Sequence, residues 1–507
     1  MQISRRDFLK LMGAFSGGML VSSVCSQNSH LYAQTDSNLP NIILIVLDAM
    51  SAENLSLYGY QRETTPNFKR FAEQANVYHN HYSAGNYTVP GTASLLTGLY
   101  PWTHRAINLS GLVARNLVDC NVFTTLRQKY HTFAYSQNNA ANFILNQFAD
   151  SIETYLPPDK YSVEGQVLGQ HFTHDLVNAS RSFEDFLTVD DAAPASLLFG
   201  TFYNFIFRRN EAIAQAYADD YPDGLPDING LQVVFRVKDV FDGVWSEINQ
   251  LKPPSFAYFH LWPPHSPYRP TEQFTGIFNN NWKPDKKDPH ILGGVVPQSH
   301  LNIRRLYYDE YIANVDAEFG ILLDRLQQNH VLDNSYVILT SDHGESFERG
   351  VDGHITPLLY EPLVHIPLII SAPKQQSRRD IHISTSSVDV LPTLLNLAGI
   401  PIPNICEGQL LPGLGGVEQP DRSIYAVEAK SNPAFSKFTN VSVMLRKGKY
   451  KMTCYKRHQA GDIYELYDME DDQEEIRNLY PSLKSVSDSM REEILSSLDT
   501  VNSAYQR

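Results

Sequence analysis

The chain is poor in cysteine, in net positive charge and in long apolar runs. Of its 4 cysteines, Cys25 falls in the amino-terminal leader, which leaves Cys120, Cys406 and Cys454. That odd number allows at most one internal disulfide, and no Cys-x-x-Cys pair offers a zinc site. Lysine and arginine number 41 against 56 aspartate and glutamate, a net charge of -15. Nucleic acid and anionic membranes reward clustered cations, so nucleic acid is excluded as a partner and an anionic substrate needs a local cation. No fixed-period repeat occurs, and 42% hydrophobic with 19% charged residues is a globular composition, which excludes a solenoid, a fibre or a disordered chain. The largest charge block, "DMEDDQEE" from Asp468 to Glu475, reads as a solvated turn.

What is present begins with "SRRDFLKLMGAFSGGMLVSSVCSQ". Paired Arg5 and Arg6, then Phe8 and Leu9, then a short apolar stretch to Val24 make residues 1–34 a twin-arginine export signal. The apolar run is too short and too rich in Gly and Ser to span a bilayer comfortably. Cleavage fits either a lipidated Cys25, despite the bulky Val24 before it, or "LYAQ" around Ala33. The expectation is passage through the twin-arginine machinery to the periplasm, cell surface or medium, with membrane association only through an amino-terminal anchor. That route carries folded proteins, often with metal already loaded, so a cofactor is expected.

At 507 residues the chain can bury a large core. "NIILIVL", Asn41 to Leu47, is a continuous apolar run, the pattern of a parallel strand covered on both faces, and Asp48 ends it. "TTPNFKRFAEQA" has Thr65 as cap candidate, Pro66 at the first helical position, and Phe68, Phe71, Ala72 and Ala75 on one face. In "YYDEYIANVDAEFGILLDRLQQ", Tyr308, Ile312, Val315, Phe319, Leu322 and Leu326 recur at helical spacing, and a β-branched strand ending at Asp342 follows. Further strands are expected at Phe256 to Phe259 and Ile366 to Ile370, with a short helix ended by Gly399. The plan is an α/β catalytic domain over 38–400, with a large mixed, mostly parallel sheet flanked by helices. Within it, 146–249 reads as an insertion near the substrate site. Residues 401–507 then form a small α+β subdomain with antiparallel strands and a terminal helix from Leu483 to Leu498.

Chemistry concentrates at strand ends. Asp48 and Asp342 close separate core strands, where ligands of open α/β sheets gather. Converging carboxylates repel unless a cation lies between them, and His343 adds a ring nitrogen. Taken alone, Asp342 could equally cap a following helix. Thr88 precedes Pro90, which starts a helix well, so its hydroxyl lies at a helix amino terminus, as a plain cap or as a nucleophile beside a metal.

These blocks together resemble the sulfatase family of the alkaline phosphatase superfamily, from about Asn41 to Leu479. "NIILIVLDAM" resembles its opening metal-binding strand, and "TVPGTASLLTGLYP" its C/S-x-P-x-R-xx-LLTG-x-YP signature. "FHLWPPHSPY", "SDHGE", Gly353-His354, "DVLPTLLNLAGI" and "ELYDMEDD" resemble later blocks in the right order. The resemblance implies hydrolysis of sulfate or phosphate esters at a divalent metal. It implies Asp48, Asp342 and His343 as metal ligands and Thr88 as a nucleophile that also touches the metal. His265 and His354 match histidines that contact the substrate or its leaving group. His104 lies where a basic substrate-binding residue is common, and Thr92 stands at the arginine position of the signature, so both join the expected substrate-binding set.

Three departures redirect the chemistry. Family sulfatases oxidise the signature Cys or Ser to formylglycine, and threonine is not the usual substrate of that maturation. The motif arginine is Thr92 here, and the second aspartate of the opening strand is Ala49. The set that remains resembles phospho-transferring relatives with an unmodified threonine. The expected protein is therefore a hydrolase or transferase of phosphate or sulfate esters with one divalent ion (Zn, Mn, Ca or Mg). Its substrate would be a small molecule or a glycan or lipid ester, with phosphodiester or phosphoryl-type chemistry favoured. Alternatives are a sulfatase proper and a non-catalytic binder of sulfated or phosphorylated glycans.

Overall fold

The computed structural model of the chain describes residues 39–163, 197–228, 233–280, 282–458 and 461–505. The leader, 1–34, and residues 164–196 of the expected insertion lie outside them. Eight strands form the main sheet: β1 (Asn41–Leu47), β2 (Asn76–Tyr82), β3 (His131–Ser136), β4 (Thr154–Leu156), β5 (Ser255–Leu261), β6 (Ser335–Thr340), β7 (Leu368–Ser371) and β8 (Arg379–Ser386). Their order is β8-β2-β7-β6-β1-β5-β3-β4, and only β7 runs antiparallel to its neighbours. This is the mixed, mostly parallel sheet that the apolar runs imply.

Helices cover both faces because alternate residues of β1 face opposite layers. Ile43, Ile45 and Leu47 pack with Phe68, Phe71, Tyr308, Val315 and Phe319, which belong to α1 (Pro66–Ala72) and to the later helix α5 (Gln298–Gln328). Ile42, Leu44 and Val46 pack with Leu95, Leu96, Ile144 and Leu394, from α2 (Thr88–Thr97), α3 (Asn139–Gln147) and the later α6 (Val390–Leu397). Each such buried side chain contributes about 1.5–3 kcal/mol. Within the stretch read as an insertion, β4 extends the sheet beside β3 and α4 (Val237–Ile248) packs along α5 (Gln298–Gln328). Both of these elements belong to the core layers.

Thr65 precedes α1 but its side chain makes no cap bond. Asp316 of α5 caps that helix instead, its carboxylate accepting from Asn67 N at 2.9 Å and Phe68 N at 2.8 Å. No helix follows Asp342; the chain enters a short hairpin, Ser346–Glu348 with Val351–Gly353. After α6 (Val390–Leu397), Gly399 takes the left-handed φ of 61° that ends a helix. A four-stranded antiparallel sheet follows: β9 (Ile424–Glu428), β10 (Val441–Lys447), β11 (Tyr450–His458) and β12 (Gly461–Asp468). The helix α7 (Lys484–Ser503) packs on it.

One consequence of the topology positions the site. β5, β1 and β6 are adjacent and parallel, so Asp48, His260 and Asp342 arrive at one carboxyl edge of the sheet.

Candidate metal and nucleophile centre

Asp48, Asp342 and His343 are fully or almost fully buried, and their ligand atoms lie within 4.8 Å of one another. His343 Nε2 is 3.5 Å from Asp48 Oδ1 and 3.6 Å from Asp342 Oδ2. Its other ring nitrogen, Nδ1, lies 2.9 Å from Gly344 O. Donation to that carbonyl fixes the tautomer and leaves an Nε2 lone pair facing the carboxylates, the arrangement typical of a ligating histidine. Asp342 Oδ1 is held by His343 N at 3.0 Å and Ala49 N at 3.3 Å, so Oδ2 is left free to turn inward. Asp48 Oδ1, Asp342 Oδ2 and His260 Nε2 are buried without any hydrogen-bond partner. Orphaned carboxylate oxygens at full burial are costly, and a divalent cation satisfies them. These residues fit a metal.

The loop after β1 is shaped for this edge. Ala49, where the family carries a second aspartate, has φ 58° and directs its carbonyl to Tyr308 Oη at 2.6 Å. Ser83 Oγ donates to Asp342 O at 2.5 Å. The helix α2 presses onto the same strand end, since a Cβ on Gly91 would stand 2.2 Å from Asp342 O. Only glycine allows that approach.

Thr88 opens α2, with Tyr87 as its N-cap residue. Its Oγ1 is 3.3 Å from His343 Nε2 and accepts from Asn138 Nδ2 at 3.2 Å. Asn138 caps α3: its Oδ1 accepts from Ala140 N and Ala141 N, which turns Nδ2 toward Thr88 and Asp48 Oδ2. One amide thus braces the hydroxyl and the carboxylate together. Burial raises the Asp48 carboxyl, but the imidazoles of His260, His265 and His343 pull it down more strongly, and the net shift is downward.

A cavity of 490 Å³ opens over Thr88, walled by Tyr87, Leu109, Phe143, Trp262 and Ile355 with His265 and His354. His354 Nδ1 lies 2.9 Å from Glu345 Oε1, and Tyr268 Oη donates to Glu345 Oε2 at 3.0 Å. Burial raises the Glu345 carboxyl, but His354, His265 and His343 outweigh it and hold it below the ordinary range. The ring centroids of His354 and His343 are 4.3 Å apart, and those of His354 and His265 5.0 Å.

The structure therefore brings Asp48, Thr88, Asp342 and His343 together, with His265 and His354 on the cavity wall. His104 and Thr92 are different: both are fully buried and neither lines the cavity. His104 Nε2 meets Ser94 Oγ at 3.0 Å and Nδ1 accepts from Ala106 N at 3.0 Å, and burial pushes its pKa down to about 3. With both nitrogens engaged by Ser94 of α2 and by Ala106 of the following turn, His104 sits in the protein interior, outside the cavity lining. Thr92 is one turn further along α2 than Thr88, fully buried and outside the cavity lining. Three residues at the site have no counterpart in the sequence reading: His260, Asn138 and Glu345. A lone histidine in the apolar run "FAYFHLW" and an asparagine between β3 and α3 were the available signals. His260 Nδ1 meets Tyr258 Oη at 2.8 Å, leaving Nε2 3.3 Å from Asp48 Oδ2 and 3.6 Å from Asp342 Oδ2.

Paired carboxylates and a buried imidazole at the carboxyl edge of a parallel sheet, with a hydroxyl at a helix start above them, define an ester hydrolase centre. A family model described as Sulfatase matches residues 40–400, and one described as N-sulphoglucosamine sulphohydrolase, C-terminal, matches 356–500. The chain belongs to the sulfatase family, metal-dependent hydrolases of sulfate and related esters. It is similar to choline-sulfatase of Rhizobium meliloti, 23% identical over 475 residues, covering 87% of this chain and 82% of that one. Arylsulfatase K of Bos taurus is 28% identical over 240 residues, 46% of this chain but only 42% of that protein. The fold is shared with the phosphonate monoester hydrolase of Agrobacterium radiobacter at a TM-score of 0.66 and 17% identity, covering 91% of this chain and 96% of that one.

Proposed function

We propose that the chain cleaves singly charged esters, a phosphodiester, a phosphonate monoester or a sulfate ester, with Thr88 as nucleophile. The observation that carries this reading is the place of Thr88 Oγ1, at the first turn of α2, braced by Asn138 Nδ2 at 3.2 Å and facing the Asp48, Asp342 and His343 cluster. Charge supports a monoanion. Among the described residues lining the cavity, Arg304 is the one permanent cation, and it is paired with Asp352 at 3.2 Å. A phosphate monoester dianion would bring a second negative charge with no unpaired permanent side-chain cation among those lining residues to meet it. The relatives' names point the same way, since choline sulfate and phosphonate monoesters both carry one negative charge.

A divalent ion held by Asp48, Asp342 and His343 would supply positive charge beside Thr88 and the transferring group; oxygen and nitrogen donors suit zinc or manganese. The side chains do the rest. Thr88 Oγ1, its proton lost to solvent beforehand, attacks sulfur or phosphorus in line. The bond to the leaving oxygen breaks, and His354 Nε2 gives that oxygen a proton while Glu345 holds Nδ1. The free amides at the start of α2 face the developing negative charge. His354 then takes a proton from water, which attacks the threonyl ester and releases Thr88; an acceptor alcohol in place of water makes the same step a transfer. The export signal supports a place outside the cytoplasm, with the ion loaded before passage.

The test is a panel of aryl phosphate monoesters, diesters, phosphonates and sulfates with several divalent metals. Monoanionic esters are expected to exceed the dianionic monoester by at least about tenfold in kcat/KM, or about 1.4 kcal/mol. Preference for the dianion would overturn the charge argument, and a sulfate rate far above the diester rate would assign a sulfatase proper.

A further inference from the structure

We propose a second divalent-cation site, of the zinc class, formed by Glu53, Glu361 and His365 at the floor of a separate cavity. Its ligand atoms lie within 4.8 Å of one another. The cavity measures 630 Å³ and shares no lining residue with the one above Thr88.

Three features distinguish this cluster from a patch of surface carboxylates. His365 lies 2.8 Å from His79 O through Nε2, and donation to that carbonyl leaves Nδ1 directed at the two glutamates. Nδ1 is 2.7 Å from Glu53 Oε1 and 3.7 Å from Glu361 Oε2. Donors about 2.0–2.2 Å from a tetrahedral ion stand about 3.4 Å apart, so the partly exposed Glu53 carboxylate opens from its 2.7 Å contact by less than about 1 Å to admit one. Glu361 is itself supported, Oε1 by Lys451 Nζ at 2.7 Å and Oε2 by Tyr82 Oη at 3.2 Å, as ligating carboxylates usually are. Glu53 keeps 30% of its side chain exposed, which gives an ion an entry path and water a fourth position. The cavity wall adds two more imidazoles, His79 and His382, stacked with ring centroids 4.4 Å apart. Without an ion, a proton on Nδ1 held between the glutamates occupies the same place.

The cluster ties the loop after β1 to the chain beyond His354. Glu53 lies five residues past Asp48, and Ala52 N donates to His365 O at 3.0 Å. A cation here would lock that loop from behind without touching substrate.

The test uses the full chain and zinc alone. After chelation and dialysis, zinc is titrated against wild type, Glu53→Gln, and the Asp48→Asn/Asp342→Asn double variant with and without Glu53→Gln. Stoichiometry is read by elemental analysis and occupancy by anomalous scattering at the zinc edge. Two ions per chain are expected in wild type and one in the double variant, with that one weakened at least about tenfold by Glu53→Gln. Activity of Glu53→Gln at saturating metal is expected to stay within about twofold. The proposal falls if the double variant binds no zinc, or binds it equally with Glu53→Gln added. Loss of the ion at Asp48 alone would instead fault the catalytic reading and leave this one standing.

Discussion

The assignment of Thr88 can be tested by the pair Thr88→Ala and Thr88→Ser. Serine keeps the oxygen that Asn138 Nδ2 and His343 Nε2 face at 3.2 and 3.3 Å. It loses one buried methyl, worth about 0.8 kcal/mol, so kcat should stay within about tenfold of wild type. Alanine removes the nucleophile and with it the covalent route, a loss of about 10⁴ to 10⁶ in kcat, equivalent to about 5–8 kcal/mol. The fold should survive both changes. Thr88 is not the N-cap residue of α2, so alanine removes about 1–2 kcal/mol of hydrogen bonding and lowers Tm by less than about 5 °C. The assay is single-turnover kinetics on the best ester of the panel, with intact-mass detection of sulfuryl or phosphoryl groups on the Thr88 peptide. Thr88→Ala that folds, binds metal and retains activity within about tenfold of wild type would refute the reasoning.

Three further outcomes follow from the geometry. His354→Ala should cost about 10² to 10⁴ in kcat for esters of alkyl alcohols and far less for nitrophenyl esters, whose leaving group needs no acid; equal losses would remove His354 from the acid role. Asp342→Asn should weaken binding of the ion held with Asp48 and His343 at least about tenfold, in step with activity, and full activity without that ion would contradict the site. Glu475 is pushed up to about 7 from 4.5 by burial, offset by Lys451 and reinforced by Glu361. The folded chain therefore holds a proton there that the unfolded chain has lost, and stability falls as pH rises from about 4.5 to about 7. Glu475→Gln should flatten that slope in urea melts, and an unchanged slope would place its origin elsewhere.

Much of the fold was legible because its signals are local. The apolar run before Asp48 reads as a buried strand, and the spacing from Tyr308 to Leu326 reads as one buried face of α5, as observed. Thr65 looked like the cap of α1, yet Asp316, far along the chain, does that work. His104 stood beside a signature block and looked functional. Packing, which the block does not encode, turned both its nitrogens inward.

By itself the sequence determined the family blocks, the strand ends that carry Asp48 and Asp342, and the exchange of the signature nucleophile for Thr88. These depend on residue type and on spacings of a few residues, which set periodicity and helix starts directly. Only the tertiary structure decided that Asn138, 50 residues from Thr88, braces its hydroxyl, and that His260 meets the Asp48 carboxylate from β5. It also decided that Glu345 meets His354 Nδ1 and that Thr92 and His104 lie outside the cavity above Thr88. The physical reason is that which distant side chains converge is settled by strand order and by the close approach of α2 to the end of β6. Neither is written in any single stretch of chain.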